Sequence, residues 1–140
     1  MDNTGYLLMS VSKKLRYKLN YALHPLDITV QQWAVIQQLS HYDNDKLMTA
    51  NELAKILDMD KPTISAIIKR LENKKLIYKR KNKADSRAFD LFLSQEGMDV
   101  YTKAVKISNQ ILEEFTAKLS QNESERLNQI LQKLDSEEVV

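Results

Sequence analysis

The chain has 140 residues, 21 Lys and Arg against 19 Asp and Glu, a formal net charge of +2, and no cysteine. Its length suits a single domain that buries roughly 70% of the surface of its unfolded chain. Disulfides, thiol catalysis and a thiol redox switch are excluded by the missing cysteines, and no run of about 20 apolar residues offers a membrane span.

The opening stretch MDNTGYLLMSVSKK has too short an apolar run for a signal peptide and carries an acid where a basic region would stand, so a cytoplasmic protein is expected. From Tyr6 to about Leu23, Leu8, Val11, Leu15, Leu19 and Ala22 recur at steps of three and four. This predicts an amphipathic helix, ended by His24-Pro25. Thr29 with Gln32 is a capping box, opening a second helix that turns Trp33, Ile36 and Leu39 inward. Thr49 with Glu52 repeats the signal for a short third helix with the stripe Leu53, Ile56 and Leu57, ending near Asp58. Asp60 is an N-cap for a fourth helix, with Pro62 in its first turn, where a missing N–H costs little.

The fourth helix has two contrasting faces. Ile64, Ile67, Ile68 and Leu71 follow the i, i+3, i+4, i+7 rule and face the core. Pro62, Ser65, Ala66, Lys69, Arg70 and Asn73 then lie outward, small and polar at the N-terminal half and basic at the C-terminal half. Such a face suits a DNA major groove: small residues permit close approach, Ser and Lys donate to base edges or phosphates, and Ala66 can meet a thymine methyl. An ordinary solvated helix face is the competing reading.

Two strands follow, Leu76–Arg80 and Ala88–Leu93, with Leu76, Tyr78 and Arg80 on one face of the first and Phe89, Leu91 and Leu93 on one face of the second. The connection, Lys81 to Arg87, exceeds what a tight hairpin needs and is basic. Between Lys55 and Arg87 there are 11 Lys and Arg against 4 Asp and Glu, a local charge of +7, while the remaining residues hold 10 against 15, or −5. This asymmetry marks a polyanion-binding face rather than a scattered charge run. Two short helices across a turn at Asp58–Lys61, then strand, basic loop and strand, give the order of a winged helix-turn-helix. The loop is its wing. Arg87 can enter a minor groove, and Asp85 can accept a hydrogen bond from the Arg87 guanidinium or the loop backbone.

A long fifth helix runs from Ser94 to about Leu119 with two apolar stripes, one with Met98, Tyr101, Val105, Leu112, Phe115 and Leu119, the other with Val100, Ala104, Ile107 and Ile111. Together they exceed the needs of one small core and imply a partner. Ser120 with Glu123 caps a last helix that turns Leu127, Ile130, Leu131 and Leu134 inward. Enzymatic signatures are missing: no Gly-rich phosphate loop, no Gly-x-Ser-x-Gly, no His-Glu-x-x-His. His24 and His41 have no metal-ligand spacing and read as surface residues, and Glu113-Glu114 and Glu137-Glu138 read as solvated carboxylates. No cofactor or metal is expected.

These pieces resemble the MarR family of bacterial transcription regulators over nearly the whole chain. DITVQQWAVIQQL resembles the family's second-helix signature, MTANELAKILDMDKPTISAIIKRLENKKLIYKR its helix-turn-helix, ADSR its Asp-x-Arg wing, and LSQEG the entry to its fifth helix. Two departures stand out: Asp27 where a glycine commonly precedes the Thr, and Lys75 where a glycine usually ends the recognition helix. The resemblance implies a mainly α fold with a small β-hairpin wing: a helical dimerisation region (1–26 and 95–140) joined to a winged-helix lobe (29–94), with the helix-turn-helix at about 49–75 and the wing at about 76–93. It implies a cytoplasmic homodimer on a pseudo-palindromic double-stranded operator, a regulator of the repressor type. The residues expected at DNA are Lys61, Pro62, Thr63, Ser65, Ala66, Lys69, Arg70 and Asn73 on the helix and Lys83, Asp85 and Arg87 on the wing. The resemblance also allows a small aromatic anionic effector, to which Lys13, Arg16, Tyr17 and Trp33 would offer charge and ring surface; core aromatics with solvated bases are the plainer reading of those four. The alternative function is a winged helix used as a protein-interaction module.

Overall fold

The computed structural model describes residues 2–41 and 48–136. The chain runs α1 (Thr4–Leu23), a 3-10 turn (His24–Leu26), α2 (Val30–Ser40), β1 (Met48–Thr49), α3 (Ala50–Ile56), α4 (Lys61–Asn73), β2 (Ile77–Lys81), β3 (Phe89–Leu93), α5 (Gln95–Phe115) and α6 (Gln121–Asp135). It is a mainly helical winged-helix fold, as the sequence pattern implies.

Local hydrogen bonding sets the helix starts. Thr29, Thr49 and Ser120 each accept from the backbone N–H three residues on, and Gln32, Glu52 and Glu123 reach back to complete all three capping boxes. Asp60 and Ser94 cap α4 and α5 through single side-chain acceptors. The winged-helix core is formed where α2, α3 and α4 meet the sheet, with Ile36, Val35, Leu53, Ile64 and Leu71 fully buried. Leu23 at the end of α1 and Ala104 on α5 tie the long helices to this core.

Several expectations are corrected. Among the described residues the sheet has three strands in the order β1-β3-β2, because Met48 and Thr49 pair with Leu91 and Asp90 on the other edge of β3. Two residues are too few for an alternating pattern to show. Leu76 is buried but precedes β2, whose register matches Ile77 with Leu93 and Tyr78 with Phe92. Ile56 is 53% exposed: α3 stops there, its buried pair is Leu53 and Ala54, and the turn brings Leu57 and Met59 against the core instead. Lys61 belongs to α4, so the turn is Leu57–Asp60. The fifth helix ends at Phe115, not near Leu119. None of the residues of α6 is buried, so Leu127, Ile130, Leu131 and Leu134 face outward from this chain rather than inward. His24, His41, Glu113 and Glu114 are exposed; Glu137 and Glu138 lie outside the described residues.

Among the described residues three non-glycine residues take positive φ, each just past a helical segment: Asp27 (57°), Asp58 (52°) and Lys75 (63°). After α4, Leu76 N donates to Leu71 O at 3.0 Å and Lys75 N to Glu72 O at 2.9 Å. This is a Schellman closure with Lys75 in the left-handed position usually held by glycine. Lys75→Gly should therefore raise stability by about 0.5–1 kcal/mol, the left-handed penalty of about 1–2 kcal/mol less glycine's extra loss of backbone freedom. Denaturant unfolding at fixed protein concentration measures it, and an unmoved or lowered midpoint would contradict the argument.

The same junction holds the wing to the last long helix. Ser94 donates its hydroxyl to Lys75 O at 2.6 Å and its N–H to Leu76 O at 3.0 Å, and accepts from Gly97 N at 3.0 Å. A Cβ at Gly97 would stand 2.1 Å from Leu76 O, so only glycine lets α5 start this close to the base of β2.

Candidate nucleic-acid interface

The recognition candidate is α4. Its four apolar residues Ile64, Ile67, Ile68 and Leu71 are all buried, which rotates the opposite face to solvent. Pro62, Ser65, Ala66, Lys69, Arg70 and Asn73 are exposed there, as is Lys61; Thr63 is half-buried. Asp60 Oδ1 accepts from Thr63 N at 2.7 Å. Hydrogen bonds from the Thr63 side chain and backbone hold the Asp60 carboxyl below its ordinary value. A depressed folded value means the cap's contribution is present above the ordinary carboxylate range and is lost as pH falls from there through the lowered value.

The C-terminal end of α4 is clamped. Lys74 Nζ donates to the Asp27 carbonyl and to Gln32 Oε1 at 3.1 Å, and lies 3.7 Å from Asp27 Oδ2. Gln32, buried, also completes the α2 capping box, so one cluster links the start of α2 to the end of α4. The helix is thus fixed at both ends, with its basic face free.

Between α4, the start of α3 and the wing lies an open groove of about 700 Å³. Ser65, Lys69, Asn73, Asp85 and Arg87 all border it. Lys61, Pro62, Thr63, Ala66 and Arg70 lie elsewhere on α4, and Lys83 is exposed on the wing beyond the groove. The sequence reading missed Asn51, Glu72, Lys79 and Phe89 in the same wall. Lys79 Nζ sits 3.9 Å from Glu72 Oε2 and 4.9 Å from the Phe89 ring centre, so its charge is partly answered within the protein. On the other face of the hairpin Tyr78 stacks on Phe92 at 5.3 Å, with the Arg80 guanidinium over both rings.

At the wing tip, Asp85 Oδ1 accepts from Arg87 N at 3.0 Å and lies 3.6 Å from Arg87 Nε. Of the two partners expected for Asp85, the loop backbone supplies the hydrogen bond, while the guanidinium lies at ion-pair distance. The Arg87 side chain is 93% exposed. An ion pair that open to water contributes little to stability, which leaves its charge available to a ligand.

The four effector candidates do not converge. Trp33 is buried with its ring 5.7 Å from that of Tyr101. Lys13 and Arg16 line one surface groove with Tyr6 and Met9, and Tyr17 lines another with Tyr21 and Ile111. The helix period separates them, because Tyr17 follows Arg16 by 100° around α1. Among the described residues no group of three His, Asp or Glu is placed to hold a metal ion, and no helix is long and apolar enough to cross a membrane.

A model of the MarR family matches residues 26–88. The HTH-type transcriptional regulator SarZ of Staphylococcus haemolyticus is 27% identical over 122 residues, covering 87% of this chain and 80% of that one. Among solved structures, the S. aureus MepR–DNA complex superposes with a TM-score of 0.85 at 28% identity, covering 96% of this chain and 97% of that one. A mutant E. coli MarR complexed with operator DNA gives 0.83 at 27% identity, covering 94% and 93%.

Proposed function

We infer that this chain, which belongs to the MarR family, is a sequence-specific DNA-binding transcription regulator that acts as a homodimer and represses. The observation that carries the reading is the shared groove: side chains from α4 and from the wing tip, 12 to 22 residues apart in sequence, border one surface that carries Lys69, Lys79 and Arg87. Two related proteins of the same fold are solved on DNA. In this reading Lys61, Pro62, Thr63, Ser65, Ala66, Lys69, Arg70 and Asn73 enter or flank a major groove, Arg87 reaches the neighbouring minor groove with Asp85 holding it, and Lys83 adds charge on the wing. Residues 29–94 form the DNA-binding lobe, with 1–26 and 95–140 holding the dimer. A two-fold dimer then reads half-sites about one turn, roughly 10 base pairs, apart. No observation favours the protein-interaction alternative.

The helix contacts divide by kind. Lys69→Ala, removing a phosphate contact, should weaken binding to all duplexes alike and reduce the salt slope by about one per half-site, whereas Ser65→Ala should change base preference with little change in slope. Binding titrations across a salt series, on duplexes selected from a random pool, test both; matching effects of the two changes would place the wrong face on DNA. Release by a small aromatic anion belongs to the same proposal, with the surface grooves on α1 as the place a dimer would complete. Screening metabolites for release of the selected duplex tests that part separately.

A further inference from the structure

Asn82 connects the exposed wing tip to the interior. Its side-chain oxygen accepts from Ala84 N at 2.8 Å and Asp85 N at 2.9 Å, and its amide nitrogen donates to Asp90 Oδ1 at 2.8 Å. Its own backbone N–H donates to Ala88 O at 2.9 Å, closing the loop. The orientation of the amide is dictated by its partners, because two N–H donors on one side and a carboxylate on the other admit only oxygen toward the tip. Asp90 is 3% exposed in a strand otherwise made of Phe89, Leu91, Phe92 and Leu93. A carboxylate buried there is costly unless hydrogen-bonded, so its bond to Asn82 is strong and directional. From Asp90 the chain of contacts runs through Asn82 to the Asp85 backbone, then from the Asp85 carboxylate to Arg87.

We propose that Asn82, held by the buried carboxylate of Asp90, is a positioning residue that aims Arg87 at DNA. The proposal rests on the DNA-binding reading above. Asn82 is half-buried and lies outside the groove that Arg87 borders, so its effect on binding must pass through the tip.

Amide hydrogen exchange in the free protein and affinity for a selected duplex test it together. Asn82→Ala should speed exchange at Ala84 and Asp85 and weaken DNA binding about fivefold to tenfold, the loss of one directed hydrogen-bonding group. In an Arg87→Ala background the same change should cost less than about twofold, because nothing remains to be aimed. The exchanged pair, Asn82→Asp with Asp90→Asn, keeps an acceptor toward the tip and a donor at position 90, and should return affinity to within about twofold of the unaltered chain, since the net charge and the bond are conserved. Asn82→Ala binding DNA as tightly as the unaltered chain would overturn the proposal, as would losses that add fully with Arg87→Ala. Should the exchanged pair fail to fold by thermal melting, the Asn82 and Arg87 cycle decides alone. If instead the unaltered chain binds no selected duplex, the DNA-binding reading itself falls; that result is distinct from a chain that binds with or without Asn82.

Discussion

Arg87→Ala should weaken operator binding by about 1–3 kcal/mol per half-site, the worth of one good side-chain contact to bases, so the proposed dimer, with two wings, should lose about 2–6 kcal/mol. Titration with a selected duplex at about 0.15 M salt, where exposed long-range attraction is damped, reads the loss. The fold should not change. The Arg87 side chain is 93% exposed and its partner Asp85 is itself open to water, and such surface changes usually stay within about 0.5 kcal/mol of neutral. Asp85→Ala should lose less, because Arg87 keeps its charge and only its bond to Asp85 disappears. If Asp85 serves to orient Arg87, the double variant binds little worse than Arg87→Ala alone. Unchanged affinity for Arg87→Ala would remove the wing from recognition and leave α4 as the reader.

Leu131→Asp should convert the proposed dimer to a monomer and abolish its tight operator binding. Thirteen of the sixteen exposed large apolar side chains among the described residues lie on α1, α5 and α6. A surface that apolar marks an interface, and the proposed homodimer is its occupant. Leu131 and Leu134 of α6 share a groove with Leu8 of α1, which places both helices at the same surface. In a two-fold dimer each substitution occurs twice. An unpaired charge buried in such an interface costs about 3 kcal/mol, so two raise the dimer dissociation constant on the order of 10⁴-fold. Operator affinity falls with it, since the second half-site contact is no longer intramolecular. Ile56→Asp is the control: Ile56 is somewhat more exposed than Leu131 but sits on α3, so sedimentation should show an intact dimer. A dimeric Leu131→Asp protein at micromolar concentration would place the interface elsewhere.

The sequence was legible wherever one residue's neighbours in the chain decide its environment. The starts of α2, α3 and α6 follow from a Thr or Ser and a Gln or Glu three residues on, because both hydrogen bonds of a capping box close within one turn. The two faces of α4 follow from its 3.6-residue period, and all four residues read as inward are buried. The wing was legible as a strand, a basic loop and a strand. Asn82 was not singled out, although an Asn three residues before Asp85 has the side chain that caps such a loop.

Tertiary packing decided the rest, since burial depends on what arrives from elsewhere in the chain or from another chain. Ile56 fits an apolar stripe but faces water because α3 ends beneath it and Leu57 and Met59 fill the place. Asp90 falls on the strand face opposite Phe89, Leu91 and Leu93, a place that alternation alone does not mark as buried, yet β1 pairs beside it and Asn82 satisfies it, so it is buried. Lys75 adopts the left-handed conformation that its type disfavours because the α4 end, Ser94 and Gly97 fix where β2 must begin. Lys13, Arg16, Tyr17 and Trp33 lie within 21 positions but in two separate surface grooves and the core, because the helix period and the packing between α2 and α5 set direction independently of sequence distance. The apolar stripe of α6 is an amphipathic pattern plain in the sequence. What it packs against is not, because a periodic stripe records that a surface must be covered and carries no information on whether the cover comes from the same chain.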